Sequence, residues 1–237
     1  MKILYEDNHI IIVAKAAREI VQGDKTGDTP LSEMVGSYLK NRYNKPGNVF
    51  VGVVHRLDRP VSGVVMFAKT SKALARLNSM LQQRHIEKRY LAIVKTPPKN
   101  IDGKLTHYLV RNKSNNRSYA YKNEVKGSKL AILKYRLIGN SNNYYILDIE
   151  LITGRHHQIR CQLSRIGSPI KGDLKYGAER SNPDGSISLH AYRIIFEHPV
   201  SHKMIDVVAP LPEENLWQSF STILSPLLNQ DYQSKLL

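Results

Sequence analysis

The sequence predicts an α+β fold built around a mixed, largely antiparallel β-sheet. Three observations lead to this fold class. Short apolar runs recur along most of the chain, and turn-forming residues separate them. Two or three segments show instead the 3.6-residue period of an amphipathic helix. The chain has 237 residues, 41% of them hydrophobic and 23% charged, which suffices for a sizeable core.

The N-terminal part is expected to combine strands with two helices. Residues 10–14 form an apolar run that predicts a buried strand. Asp28-Thr29-Pro30 predicts a helix start with proline in the first turn, and the helical period continues to about Arg42. A second helix should follow Ser71, which is a good N-cap. Its core-facing stripe consists of Leu74, Leu77, Met80 and Leu81.

The second half is expected to be mainly β-structure. Residues 131–138 and 144–151 predict an antiparallel pair joined by a short turn, whereas the polar range 112–129 is expected to contain an exposed loop. The other expected elements are a strand at 89–94, a short helix at 157–166, a strand pair at 189–196 and 204–208, and a short helix near 216–224. We expect one domain over residues 1–225 and a tail over 226–237.

Charge and cysteine content restrict the function classes. Lys and Arg number 35 against 20 Asp and Glu, and the formal net charge of +15 favours nucleic acid as the partner, ahead of an anionic membrane surface. No signal peptide and no membrane-spanning run is visible, so a cytoplasmic protein is expected. The lone Cys161 reads as a core residue, and His156-His157 lacks a third ligand at a metal-site spacing. We therefore expect no metal.

Residues 55–63 place one carboxylate among arginines. Asp58 stands between Arg56 and Arg59, and the apolar runs 50–54 and 64–68 on either side predict buried strands that present this segment as a loop. The nearby positive charges favour the ionised carboxylate. That state suits a nucleophile or an electrostatic stabiliser better than a general acid. Taken alone, the same spacing also fits a surface aspartate paired with arginine.

The same segment carries a family resemblance. His55-Arg56-Leu57-Asp58, followed by Ser62-Gly63, resembles the HRLDxxTSG signature of the RluA-like pseudouridine synthases. Val61 stands where that signature has threonine. Residues 14–18 replace the family segment NKPxG, and Gln162 stands where a histidine often follows. Segments in the family's order lie at residues 3–8, 88–92, 153–160, 167–170, 172–173, 189–192 and 198–199.

The resemblance implies the pseudouridine synthase fold and an isomerase that needs no cofactor. Such an enzyme breaks the N1–C1′ bond of a uridine in RNA and joins C5 to C1′. Asp58 corresponds to the catalytic aspartate, which attacks C1′ or removes a proton from C2′. Arg160 corresponds to the basic residue that pairs with this aspartate, although taken alone it reads as a helix arginine on a solvated face. Tyr90 corresponds to the active-site tyrosine, which stacks on uracil and could assist proton transfer at C5.

The resemblance also suggests how RNA is held. Arg56 corresponds to the arginine that fills the space vacated by the flipped uridine. His55 is expected to support the loop, and Arg155 to bind phosphate. We expect a monomer whose partner is ribosomal or transfer RNA and not DNA, and we expect no S4-type RNA-binding domain before the first strand. The alternative is a non-catalytic RNA-binding or RNA-folding protein on the same scaffold, which the altered signature loop motivates.

Overall fold

The computed structural model describes residues 1–24 and 27–229. Their strands are β1 Lys2–Glu6, β2 Ile10–Lys15, β3 Gly52–Val53, β4 Ser62–Ala68, β5 Ile86–Val94, β6 Asp102–Asn112, β7 Arg117–Tyr121, β8 Lys129–Asn140, β9 Tyr145–Leu151, β10 Leu189–Glu197 and β11 Met204–Val208. Their α-helices are α1 Leu31–Arg42, α2 Ser71–Gln82, α3 Gln158–Arg165, α4 Asn215–Gln218 and α5 Ser221–Leu228, and a 3₁₀ turn spans Leu174–Tyr176. The fold is α+β, as the sequence predicts.

The described chain divides into two compact units. The first contains Met1–Ile86 and Tyr192–Pro210, and the second contains Glu87–Ala191 and the described residues after Pro210. In the first unit β2 pairs antiparallel with β1 and β4, β3 pairs with β4, and β11 pairs with β10. The buried side chains of β2, β4, β10 and β11 form its core together with Leu77 of α2.

Two details of the first unit differ from the sequence prediction. The N-cap of α2 is Thr70 rather than Ser71, because the Thr70 hydroxyl accepts a hydrogen bond from the amide of Ala73 at 3.1 Å. Of the apolar run 50–54, only Gly52 and Val53 form a strand. Although the run is apolar, it is only partly in the core, because the Phe50 side chain is exposed.

The second unit contains an antiparallel sheet with the strand order β5-β9-β8-β6-β7. The range 112–129 contains exposed turns, as expected, but it also contains strand β7, which forms a hairpin with β6. The sequence did not predict β7 because the strand is polar and lies at the edge of the sheet. Its outward side chains are exposed, and only Ser118 of β7 is buried. The expected strand pair at 131–138 and 144–151 is confirmed as β8 and β9.

The C-terminal part forms two short helices, α4 and α5, where the sequence predicts one. Residues 230–237 of the expected tail lie outside the described residues. No helix in the described part of the chain is both long and apolar enough to cross a membrane.

Candidate active site

Asp58 lies in the irregular segment between β3 and β4 of the first unit. Its side chain is half-buried, and Arg56 two residues earlier is exposed. The buried side chains of Leu57 and Val61 hold the segment against the core, and the amide of Val61 closes a turn by donating to the carbonyl of Asp58 at 3.0 Å. Valine at position 61, a departure from the family signature, therefore serves as an apolar anchor.

Lys15, at the end of β2, fixes the backbone that follows Asp58. Its ammonium group donates to the carbonyls of Ala16 at 3.0 Å, Arg59 at 3.2 Å and Val61 at 2.6 Å, and only 1% of the residue is exposed. Burial lowers the pKa of Lys15 to about 8, against the opposing effect of nearby carboxylates that include Asp58. Sequence reasoning missed this role. The available signal was a lysine that ends an apolar strand.

His55 and Arg59 also hold the segment around Asp58. The backbone amide of Met66 in β4 donates to His55 Nε2 at 3.2 Å, which connects the segment to β4. Arg59 forms an ion pair with Asp28. Beside the segment lies an open pocket of about 460 Å³. Its lining includes Gln22, Phe50, Gly52, His55, Arg56 and Leu74.

Tyr90 lies in β5 of the second unit, opposite Ile149 of β9, and is 6% exposed. Side chains alternate between the two faces of a strand, so Tyr90 shares a face with Lys88, whereas Arg89 lies on the other face. Arg89 forms an ion pair with Asp148 and lies 3.7 Å from a carboxylate oxygen of Glu150. The two faces of β5 therefore differ. One carries Arg89 paired with acidic side chains of β9, and the other carries Tyr90.

Arg160 is buried in α3, contrary to the solvated position that the residue alone suggests. Its Nε donates to Asp173 Oδ2 at 2.7 Å and its Nη2 donates to Asp173 Oδ1 at 2.9 Å. Both residues are at least 95% buried. The guanidinium also lies over the ring of Tyr176, 5.1 Å from its centroid. These contacts restrict the orientation of Arg160 within the second unit.

Tyr176 connects this cluster to β7 and to the start of α3. Its hydroxyl accepts a hydrogen bond from the amide of Ser118 at 2.8 Å and lies 3.0 Å from His157 Nδ1. Burial raises the pKa of Tyr176 to about 12, so the hydroxyl stays protonated at neutral pH. Sequence reasoning assigned no role to Asp173 or Tyr176, although the family-like segment Gly172-Asp173 was a signal for the first.

Arg155 is exposed in the turn before α3. Its Nε donates to the carbonyl of Leu130 at 2.9 Å, and its backbone amide donates to Gln158 Oε1 at 3.0 Å. The Thr153 hydroxyl donates to the same carboxamide oxygen at 2.7 Å. The turn is therefore held by hydrogen bonds, while other nitrogen atoms of the Arg155 guanidinium are available to a ligand.

The expected site residues fall into two groups by unit. His55, Arg56 and Asp58 share one segment of the first unit, and Tyr90, Arg155 and Arg160 belong to the second. Within residues 1–24 and 27–229, no group of three or more His, Cys, Asp or Glu side chains could hold a metal ion. Cys161 is buried, and its thiol lies 3.2 Å from the carbonyl of Ser118.

Comparisons with known proteins give consistent results. A family model described as RNA pseudouridylate synthase matches residues 9–165. An uncharacterized RNA pseudouridine synthase of Synechocystis is 32% identical over 216 residues, which cover 90% of this chain and 66% of the relative. A ribosomal large subunit pseudouridine synthase D of Zymomonas mobilis is 31% identical over 224 residues, 90% of this chain and 70% of the relative. The chain thus spans about two thirds of the length of these relatives.

The fold has been seen before in solved structures. Human RNA pseudouridylate synthase domain containing 4 superimposes with a TM-score of 0.76 and covers 94% of this chain and 93% of its own. At 19% sequence identity this similarity concerns the fold alone.

Proposed function

The chain belongs to the RNA pseudouridylate synthase family, a family of isomerases, and from this premise we propose that it converts specific uridines of ribosomal or transfer RNA to pseudouridine. The match of the family model over residues 9–165 carries the proposal, because that range includes Asp58, Tyr90 and Arg160. In the reaction the N1–C1′ bond breaks, C5 bonds to C1′, and the proton displaced from C5 is balanced by one gained at N1. No atom is added, so the proposed chemistry requires no co-substrate.

Asp58 is the proposed catalytic carboxylate. It attacks C1′ of the ribose or removes a proton from C2′. Both steps require a charged oxygen at a fixed position, because small displacements of a reacting group are costly to rate. The anchoring of the following backbone by Lys15 and Val61 supports this role.

Tyr90 and Arg160 are the proposed partners of Asp58 in the reaction. The phenol ring of Tyr90 stacks on the uracil, and its hydroxyl assists transfer of the proton from C5. Arg160 keeps the catalytic carboxylate ionised and oriented. Its buried position and its two hydrogen bonds to Asp173 support a positioning role, since they hold the guanidinium in one orientation.

The proposed mode of RNA binding depends on positive charge and on base flipping. An exposed Arg56 beside the catalytic segment can occupy the space left by the flipped uridine and offset part of the few kcal/mol that extrusion costs. Arg155 and the net charge of +15 suit phosphate binding. Because a relative is named for the large ribosomal subunit, ribosomal RNA is the first substrate to test. We propose that the protein acts as a monomer in the cytoplasm.

The function is tested by mapping pseudouridine in RNA from cells with and without the protein. A uridine modified only in its presence should regain modification with the wild-type gene and remain unmodified with Asp58→Asn. Asp102→Asn, which changes an exposed carboxylate at the start of β6, is the matched control and should restore modification. Full restoration by Asp58→Asn would refute the catalytic assignment. It would favour the non-catalytic RNA-binding alternative.

A further inference from the structure

Lys88 is a half-buried lysine on the Tyr90 face of β5. The two residues are separated by one position of the strand, so their side chains project from the same face. The Lys88 ammonium lies close to Gly154: a Cβ atom built at position 154 would be 3.5 Å from Nζ. The amine therefore lies in van der Waals range of position 154, one residue before Arg155.

Lys88 differs from the neighbouring cations in having no counter-charge. On the opposite face Arg89 pairs with Asp148, and Lys134 lies 3.3 Å from a carboxylate oxygen of Glu150. Within the described residues, Lys88 makes no ion pair and no side-chain hydrogen bond. Burial lowers its pKa to about 8, and no carboxylate acts against that effect.

A partly desolvated cation without a counter-charge costs free energy unless a ligand supplies the anion. Within the described residues no carboxylate raises the pKa of Lys88, whereas Asp173 balances the charge of Arg160. Arg155, next to Gly154, adds another positive charge. This side of the unit therefore has positive charge available to an anion, beside the tyrosine that we assign to the uracil.

We propose that Lys88 binds a backbone phosphate next to the uridine held at Tyr90, and so positions the flipped nucleotide. The inference rests on the proposed function. A phosphate oxygen would supply the missing negative charge and favour the protonated amine. A lysine ammonium on a flexible stem suits a single contact of this kind. Because Lys88 acts on the nucleotide through its phosphate, it is a substrate-positioning residue and takes no proton from the base.

The experiment measures RNA binding in the Asp58→Asn background, so that turnover does not interfere. The probe is a synthetic RNA that carries the uridine identified by pseudouridine mapping. A second RNA has neutral methylphosphonate linkages on both sides of that uridine. Adding Lys88→Met should weaken binding of the natural RNA about tenfold, and should reduce the slope of log K against log salt by about 0.7 to 0.9, as for one lost phosphate contact.

The coupling between residue and phosphate decides the result. Lys88→Met should have no further effect on the methylphosphonate RNA, because the interaction is already absent. Lys134→Met, which removes an exposed cation from the opposite face, should have the same small effect on both RNAs. Equal effects of Lys88→Met on both RNAs would overturn the proposal.

A charge-preserving variant separates phosphate binding from proton transfer. With Asp58 intact, Lys88→Arg should retain more turnover than Lys88→Met, since arginine also binds phosphate. If both variants lose turnover equally while RNA affinity is unchanged, Lys88 acts as a general base and the proposal is wrong. The outcome is independent of the proposed function, because wild-type modification of the mapped uridine establishes that function whatever Lys88 does. Thermal unfolding of each variant checks that it is folded.

Discussion

Two buried cations, Lys15 and Arg160, are stabilised in different ways. Lys15 donates to three backbone carbonyls, whereas Arg160 makes two hydrogen bonds to the carboxylate of Asp173. A buried charge is costly without such partners, and each arrangement fixes a segment that carries a proposed catalytic residue. Lys15 fixes the backbone after Asp58, and Asp173 fixes the side chain of Arg160. These two residues therefore fix the position of each segment.

The role of Lys15 is tested by Lys15→Met, which keeps most of the apolar stem and removes the donors. The free energy of unfolding should fall by about 2 to 4 kcal/mol, because three carbonyls lose their charged donor. Urea unfolding followed by circular dichroism measures the change. Lys40→Met in the exposed last turn of α1 is the control and should leave the midpoint unchanged. If the two variants unfold at the same midpoint, Lys15 does not anchor the segment.

At the scale of elements, α3 and the 3₁₀ turn act together in the second unit. Arg160 of α3 pairs with Asp173 immediately before the turn, and its guanidinium lies over the ring of Tyr176 at the end of the turn. Tyr176 also accepts the amide hydrogen of Ser118, which ties the turn to β7. One ion pair and one aromatic ring thus fix the helix that carries Arg160.

This arrangement predicts a large difference between two ion pairs of the same unit. Asp173→Asn should lower the free energy of unfolding by about 3 kcal/mol, since Arg160 would remain buried with its charge no longer balanced by Asp173. Glu179→Gln removes an exposed partner of Lys95 and should leave the unfolding midpoint unchanged. Denaturant unfolding of the two variants under the same conditions makes the comparison. Equal midpoints would show that the Asp173 pair does not hold α3.

Sequence periodicity predicts the elements whose burial differs between their faces. Strands β8 and β9, the stripe of α2 and the short helix α3 were recognised in this way. Strand β7 was not, because an edge strand with exposed polar residues has the composition of a loop. The burial of Arg160 was also missed, since its partner Asp173 lies outside the helix and only the folded chain brings the two together.

For the molecule as a whole, the sequence predicts the fold class and the chemistry better than it predicts which side chains are in contact. The segment around Asp58 and the ordered family-like segments indicate the RNA pseudouridylate synthase family, to which the family model assigns residues 9–165. The excess of positive charge indicates a polyanionic partner. Neither observation reveals Lys15 or Lys88. The importance of these two lysines depends on how buried they are and on which groups surround their ammonium groups. Only the folded chain determines both.

The proposed reaction isomerises uridine in RNA through the carboxylate of Asp58. Formation of the C5–C1′ bond expels the hydrogen at C5, so RNA labelled with tritium at C5 of uridine releases tritium to water on each turnover. Purified wild-type protein should release tritium from the RNA that carries the mapped uridine. Asp58→Asn should bind that RNA with similar affinity and release none above background. Tritium release by Asp58→Asn at the wild-type rate would contradict this proposal.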